Sequence, residues 1–393
     1  MNRANVYWLA DCVREALELY QEALQINPGD ALAYRGLANV LVDLGRFEAA
    51  DRAYQASLCL RNDPETSWNR SQLLIGLERF GEGYALAEQR WQLPGVEIWR
   101  PPSGPLSREE LAAGEPLLVW SEQGLGDTLQ HLRWLGTLQA LRGAGASPLT
   151  VEVEPCLVAL LQEALSELEP QVEVWAKGDD GPEPWAGQHV SLLSLPWLLG
   201  GAPTPANGCW LGAAHWPGPR EAPIHAPRIG LVWSAGRKLE QPVSAREYWR
   251  RSLDGEALGA LIEGLVGRGV ACWLLQFGED RELAAPWRGL VAGELAAEAD
   301  FAATAEVVAS LDLVISVDTA MAHLVGAMRR PVWVLLPCGA APRWGNAGGS
   351  TAWYPTMELF RQQLPGQWES AIDAVLARLG EWLEEGEMRA ERS

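Results

Sequence analysis

Residues 311–337, LDLVISVDTAMAHLVGAMRRPVWVLLP, decide the fold of this chain. Leu313–Val317 is a short apolar run rich in β-branched residues, which favours a strand buried on both faces of a parallel sheet. Ala320–Met328 has helical spacing and composition, and Val332–Leu336 is a second buried strand. Strand, turn, helix and strand in this order predict an α/β sheet, and such sheets bind ligands at the carboxyl ends of their strands.

Asp318 and Thr319 lie in the turn between the first of these strands and the helix. Free N–H groups at the start of a helix favour phosphate, so this turn and Ala320 predict a phosphate site. The same two side chains could cap the helix. The two roles are compatible.

A second strand–turn–helix pattern lies in the first half of the chain. Pro116–Trp120 predicts a short strand, residues 121–128 (SEQGLGDT) form the turn, and a helix is predicted over Thr128–Leu141. Glycines in such a turn let the backbone approach a ligand closely. Gly124 and Gly126 are therefore candidate site residues.

Further apolar runs extend both halves into α/β units. A Pro- and Gly-rich stretch over residues 200–227 is typical of an interdomain linker. We therefore predict two Rossmann-like domains, at residues 107–215 and 227–385, which face a cleft where ligands prefer to bind. Their additional strands are predicted at Leu149–Val153, Val172–Trp175, His189–Leu193, Arg228–Trp233 and Val270–Gln276.

Residues 1–96 carry an internal helical repeat, followed by a divergent unit over residues 65–91. The period is that of tetratricopeptide repeats, about 34 residues. Such solenoids commonly bind proteins, whereas so few repeats could instead form a cap packed on the next domain. Both interpretations stay open. The recurring positions are Ala16, Tyr20, Ala23 and Pro28, matched 34 residues later by Ala50, Tyr54, Ser57 and Asn62.

Composition excludes several classes of partner. A net charge of −20 and a pI near 4.7 argue against nucleic acid as the main partner and disfavour binding to anionic lipid. The absence of an apolar run of 18 residues and of a signal-peptide pattern predicts a cytoplasmic protein without a membrane span. The six scattered cysteines have no zinc spacing, so free thiols and no metal site are expected.

Several stretches resemble glycosyltransferases of the heptosyltransferase type, glycosyltransferase family 9, and especially proteins that join tetratricopeptide repeats to such a domain. The resemblance implies a GT-B fold, in which the C-terminal Rossmann-like domain holds most of the donor. It also implies a hexosyl- or heptosyltransferase that uses a nucleotide-diphosphate sugar as substrate and needs no cofactor. The matching stretches are residues 122–128 (EQGLGDT), 230–233 (GLVW), 316–327 (SVDTAMAHLVGA), 330–337 (RPVWVLLP), 353–355 (WYP) and 359–362 (LFRQ).

The resemblance also assigns roles to residues. It implies that Asp127 is the general base, a role suited to a carboxylate near the cleft, although an Asp there could simply cap a helix that starts at Thr128. It implies that Asp318 contacts the sugar or ribose of the donor. Thr319 and the nearby amides would hold the diphosphate.

Other donor contacts follow from neighbouring strand ends. His323 lies one helical turn past Thr319 and would approach the phosphates, unless it is a packed core histidine. Trp233, Ser234 and Gln276 end strands on the same edge of the sheet and are candidate base and ribose contacts, although Trp233 could belong to the core.

One segment departs from the family pattern. The loop over residues 237–251 keeps only Arg251 and Ser252 of the expected run, and we include these two as donor-site candidates. Arg237, Lys238 and Arg246 could neutralise a diphosphate or form a solvated loop. No Asp-x-Asp pair for a metal-bound diphosphate occurs, which favours a metal-independent mechanism supported by helix dipoles and cations.

Two functions from different classes remain at this point. The first is a glycosyltransferase that modifies a protein or other large acceptor presented by the repeats. The second is a non-catalytic scaffold in which a degenerate transferase domain and the repeats bind partners. The Arg-rich loop favours the scaffold, whereas the Asp127 and Asp318 motifs favour the enzyme. A dinucleotide-dependent dehydrogenase is disfavoured because the third glycine of GxGxxG is absent after Gly126.

Overall fold

The computed structural model describes residues 2–95, 98–100, 106–166, 171–204, 210–211, 226–345 and 348–390. The predicted interdomain linker falls largely on residues 205–209 and 212–225, which lie outside the described residues, as do the domain limits at residues 96 and 215. Within the described part, no helix combines the length and the apolar composition that crossing a membrane requires.

The N-terminal part folds into three pairs of helices, and this confirms the predicted helical repeat. Small buried residues at repeated positions, Ala16 and Ala50, allow the helices of a pair to approach closely. Tyr20 and Tyr54 are buried at the next repeated position. The helices are α1 (Asn2–Leu9), α2 (Val13–Ile26), α3 (Ala31–Asp43), α4 (Phe47–Leu60), α5 (Pro64–Gly76) and α6 (Phe80–Ala87).

The first α/β domain contains a parallel sheet of four strands in the order β3-β2-β1-β4. The helix after β1 starts at Leu125, three residues earlier than predicted, because Gly124 is its N-cap. Gly126 and Asp127 therefore lie in its first turn rather than in a loop. The strands are β1 (Leu117–Trp120), β2 (Leu149–Val153), β3 (Val172–Ala176) and β4 (Gln188–Ser191). The helices are α7 (Arg108–Ala112), α8 (Leu125–His131), α9 (Leu135–Arg142), α10 (Pro155–Ala164) and α11 (Leu195–Leu199).

The second α/β domain contains a parallel sheet of six strands in the order β10-β9-β8-β5-β6-β7. The strand order reverses between β5 and β8, and ligands bind in the crevice at such a switch point. Two facing parallel sheets preceded by helical repeats constitute the predicted GT-B architecture. The strands are β5 (Arg228–Val232), β6 (Ala271–Leu274), β7 (Gly293–Glu294), β8 (Leu313–Val317), β9 (Val332–Leu336) and β10 (Met357–Arg361). The helices are α12 (Pro242–Arg251), α13 (Gly255–Val266), α14 (Phe301–Ala309), α15 (Ala320–Ala327) and α16 (Glu369–Ala390).

The segment predicted as a polar loop over residues 237–251 contains α12. Its start is favoured by Pro242 in the first turn, where a missing N–H costs nothing. Its buried residues are Arg246 and Tyr248 rather than aliphatic side chains. The sequence of α12 therefore lacks an apolar stripe, which is the usual sign of an amphipathic helix.

The helical repeats pack on both α/β domains. Arg90 donates to Glu122 at 2.8 Å and to Ser194 at 2.7 Å, which ties the repeats to the first domain. Asp43, at the end of α3, accepts from Arg246 at 2.6 Å and from Arg250 at 3.0 Å, which ties them to α12. The repeats thus form a cap on both domains while still presenting a surface of their own.

The loop after β9 touches the repeats so closely that only glycine fits at residue 339. Gly339 has a φ of +64°, and a Cβ there would overlap the backbone of Asp43. We expect Gly339→Ala to lower the free energy of unfolding by about 1–3 kcal/mol beyond the backbone strain alone, as overpacking does. Urea unfolding measures the loss. Gly269→Ala is the matched control, since its φ is +77° and no atom lies within 4 Å; equal losses would refute the clash.

Candidate functional site

A cavity of about 680 Å³ opens at the switch point of the six-stranded sheet. We call it the C-domain cavity. Its lining comes from the carboxyl ends of β5, β6 and β8, from the start of α14, and from Leu125 of α8 and Cys156 of α10 across the cleft. The predicted donor residues Ser234, Gln276, Thr319 and Ala320 all line it.

The first turn of α15 faces this cavity through Thr319 and Ala320. Thr319 is the N-cap residue of α15, yet its side chain makes no capping hydrogen bond. Its hydroxyl lies 3.1 Å from the hydroxyl of Ser316 instead. The first backbone N–H groups of α15 therefore stay available to a ligand, and a helix start attracts phosphate.

Gln276 shapes the loop that follows β5. Its Oε1 accepts from the backbone N–H groups of Trp233 at 3.0 Å and Ser234 at 2.9 Å. Its Nε2 donates to the carbonyl of Ser234 at 3.2 Å. Ser252 adds a second support, since its hydroxyl accepts from the N–H of Ala235 at 3.1 Å. Gln276 and Ser252 thus hold the wall of the C-domain cavity in place.

We expect Gln276→Ala to destabilise the protein by about 1–3 kcal/mol for each of the two buried N–H groups that it leaves without an acceptor. The loop after β5 should loosen, and affinity for a donor in the C-domain cavity should fall. Urea unfolding and ligand titration measure the two effects. Gln363→Ala, which removes an exposed amide of the same domain, is the control. Unchanged stability of Gln276→Ala would refute the role of this clamp.

Trp233 lies in the hydrophobic core below the sheet and is only 1% exposed. Its indole N–H donates to the carbonyl of Asp280 at 3.0 Å. The structure therefore agrees with the core alternative for Trp233 rather than with a contact to the donor base.

Arg251 connects α12 to the turn after β8. Its Nη1 lies 3.7 Å from Oδ2 of the buried Asp318 and donates to the Asp318 carbonyl at 3.3 Å. Arg237 lines the C-domain cavity and pairs with Glu279 at 3.1 Å. Arg246 is not available to a diphosphate, because it is buried against the repeats. Of the three cations that the sequence offered for the donor, Arg237 is thus the one that the structure places in this cavity wall.

Asp127 lines a second cavity, of about 400 Å³, that lies between the helical repeats and both α/β domains. We call it the repeat-side cavity. Asp127 does not cap α8, where Gly124 is the N-cap residue. Its Oδ1 pairs with Nη1 of Arg343 at 2.7 Å, a contact that crosses the cleft from one domain to the other.

The charge state of Asp127 follows from its neighbours. Burial alone would raise its pKa, but the nearby Arg343 and His131 outweigh burial and lower the pKa below its ordinary value. Burial lowers the pKa of His131 to about 4. At neutral pH a carboxylate therefore stands beside a neutral imidazole.

His323 lies at the contact between the two α/β domains and is 1% exposed. Its Nδ1 is 3.0 Å from the hydroxyl of Tyr354, and its ring stacks on Trp344. Burial, with a further contribution from Arg343, lowers its pKa to about 3. The structure thus places a neutral His323 in the domain contact, outside the C-domain cavity lining, where it offers no charge to a phosphate.

Gly126 permits the close approach of the two domains. A Cβ at this position would lie 3.0 Å from Cδ2 of His323 and 3.5 Å from Cα of Ala320. Leu125 and Ala320 line the C-domain cavity, whereas Asp127 lines the repeat-side cavity. The Gly126 contact therefore lies between the two cavities.

Arg343 is a site residue that sequence reasoning missed. It follows β9 in a short 3₁₀ helix and also donates to Oε1 of Gln130 at 2.8 Å. No motif marked it, and its partner Asp127 lies 216 residues earlier in the chain. The sequence signal that could have suggested it is the Pro-Arg-Trp run after a predicted strand end.

Comparison with known proteins agrees with this architecture. Residues 13–65 match the tetratricopeptide repeat family model, and residues 254–336 match the model of glycosyltransferase family 9 (heptosyltransferase). Protein FlbA of Caulobacter vibrioides is 25% identical over 414 residues, covering 93% of this chain and 64% of FlbA. The chain thus spans less than two thirds of that relative's length. The two family matches confirm the resemblance to repeat proteins that carry a family 9 glycosyltransferase domain.

Comparison with solved structures finds partial matches that include two sugar transferases. Escherichia coli ADP-heptose lps heptosyltransferase II is 15% identical with a TM-score of 0.44, covering 69% of this chain and 99% of that one. An O-GlcNAc transferase mutant from Thermobaculum terrenum is 14% identical with a TM-score of 0.29, covering 92% of this chain and 56% of that one.

Proposed function

We propose that this protein transfers a sugar from a nucleotide-diphosphate donor to a hydroxyl group of a protein or other large acceptor. The observation that carries the proposal is the pair of cavities on either side of Gly126. One has the open start of α15 for a diphosphate, and the other has a carboxylate for the acceptor.

Direct displacement fits this arrangement. The acceptor oxygen attacks the anomeric carbon of the sugar, the bond from that carbon to the phosphate oxygen breaks, and the hydroxyl proton passes to Asp127. The nucleoside diphosphate leaves with the electron pair of the broken bond. Its charge would be stabilised by the amides at the start of α15, by the helix dipole and by Arg237, whose ion pair with Glu279 is exposed to solvent. We therefore propose a metal-independent reaction.

The altered Arg-rich segment no longer weighs against an enzyme. Arg246 and Arg250 have a structural use, because both pair with Asp43 of the repeats. Two arginines of the altered segment thus attach α12 to the repeats. Thr319 and the start of α15 line the C-domain cavity and remain open to a donor.

Filling the C-domain cavity tests the donor site. Gly236 lines this cavity, and a Cβ at Gly236 meets no atom within 4 Å. We expect Gly236→Trp to weaken binding of the preferred donor by about tenfold or more, measured by titration with UDP-, GDP- and ADP-sugars. The control is Gly289→Trp, at another glycine with open space. If the unaltered protein binds no member of the panel, the proposed function is wrong.

A further inference from the structure

The repeats build one wall of the repeat-side cavity. Trp68 and Gln72 of α5, Asp43 of α3 and Tyr84 of α6 line it opposite Asp127. α3 and α5 are the first helices of successive pairs, so one side of the repeat stack faces the candidate base. An acceptor that reaches Asp127 through this cavity must pass the repeats.

This surface continues along the repeats beyond the cavity. Arg35 occupies on α3 the position that Trp68 occupies on α5, because α3 begins at Ala31 and α5 at Pro64, and it pairs with Asp63 and Glu65. The side chains of Arg35 and Trp68 are both partly exposed. Solenoids use such repeated positions on one side of the stack to bind extended partners. A segment lying along the repeats would therefore lead into the cavity.

The charges around the repeat-side cavity cancel. Its ionisable lining includes three carboxylates and three guanidinium groups. Within the described residues every one of these guanidinium groups is paired with a carboxylate. The pairs are Arg250 with Asp43 at 3.0 Å, Arg343 with Asp127 at 2.7 Å, and Arg90 with Glu122 at 2.8 Å. The third lining carboxylate, Glu247, also pairs with Arg250, at 3.3 Å.

A phosphate group would find no spare cation here, and its burial without one is unfavourable. The cavity instead offers aromatic rings and amides, from Trp68, Tyr84, Gln72 and Gln130. Such a lining suits an uncharged polar group that brings its own hydroxyl. The cavity has a volume of about 400 Å³, near the lower end of the range for ligand pockets. A cavity of this size admits one acceptor side chain together with the sugar that it contacts, but not a folded domain.

We propose that the repeat-side cavity is the acceptor site and receives an uncharged Ser or Thr side chain of a protein segment that lies along the repeats. Trp68 and Gln72 select this acceptor. The inference rests on the proposed glycosyltransferase function and adds the acceptor's chemical class and its route to Asp127.

The test measures release of nucleoside diphosphate by the full chain from the sugar nucleotide that binds best. Three pools of synthetic decapeptides, whose random flanks omit Ser and Thr, are added, with central Ser or Thr, central Ala, or central phosphoserine. We expect the Ser/Thr pool alone to accelerate release. Gln72→Trp, which fills the cavity, should lower the accelerated rate by about tenfold or more and leave donor affinity unchanged. Gln21→Trp, at an exposed glutamine of α2, is the matched control and should behave as the unaltered protein.

Each outcome decides between the two claims. Acceleration by the phosphoserine pool, or by none of the pools while donor binds, would overturn the acceptor inference and leave the glycosyltransferase proposal standing. Full acceleration in Gln72→Trp would also overturn it, because the acceptor would then use another route. Failure of every donor to bind would instead remove the proposed function, and the inference with it.

Discussion

Asp127→Asn is expected to lower sugar transfer by about 10²- to 10⁴-fold, the usual contribution of a general base. The amide keeps an oxygen that can accept from Arg343, so the contact across the cleft should survive. Donor affinity should therefore stay near that of the unaltered protein. Single-turnover transfer and donor titration measure the two quantities. An unchanged transfer rate would exclude Asp127 as the base.

The pH dependence of transfer gives a second readout of the same group. Arg343 and His131 hold the pKa of Asp127 below its ordinary value, so the carboxylate stays ionised as the pH falls into the acidic range. Base activity is lost only when the pH falls through this lowered pKa. Arg343→Met removes the main stabilising charge, and the acid limb of the rate should move to higher pH. If the acid limb of the pH–rate profile lies at the same pH in the unaltered protein and in Arg343→Met, a group other than Asp127 titrates there.

The strands could be predicted from the sequence because their signal is local. β2, β8 and β9 begin and end at the predicted residues, since each is a short buried run in which most side chains are apolar or β-branched. The order reversal between β5 and β8 then places the turn at Asp318 beside the loop at Ser234. This part of the candidate site follows from the pattern of strands alone.

The remaining parts depend on partners that are distant in the chain. α12 buries Arg246, which bonds to Asp43, a residue 203 positions earlier. Arg343 can be recognised as a site residue only from its ion pair with Asp127. Neither pairing leaves a periodic pattern, so the sequence left Arg246 open between a diphosphate contact and a solvated loop, and it gave no prediction for Arg343. Trp233 and His323 were ambiguous for a related reason, because burial rather than residue type distinguishes a core side chain from a ligand contact.

A large stability effect is expected at the junction between the repeats and α12. Asp43 accepts hydrogen bonds from Trp8, Arg246 and Arg250 at 2.6–3.0 Å and is 6% exposed. Asp43→Ala would remove the more buried carboxylate from two buried guanidinium groups and leave both with the more exposed Asp11. Removing one partner of a buried ion pair costs about 3–5 kcal/mol. We expect a loss of this size in the free energy of unfolding, measured with urea.

The same substitution should also reach the donor site, because α12 ends in Arg251, which contacts Asp318. A displaced α12 would shift this contact, and donor affinity should fall by about five- to tenfold, within the range of coupling between sites.

Asp51→Ala is the matched control. Asp51 pairs with Arg70 and Arg79 inside the repeats, and these ion pairs lower its pKa despite burial. Its loss should destabilise the repeats without changing donor affinity. If both variants lower donor affinity equally, general destabilisation explains the effect. If only Asp43→Ala lowers it, the repeats position the donor site through α12.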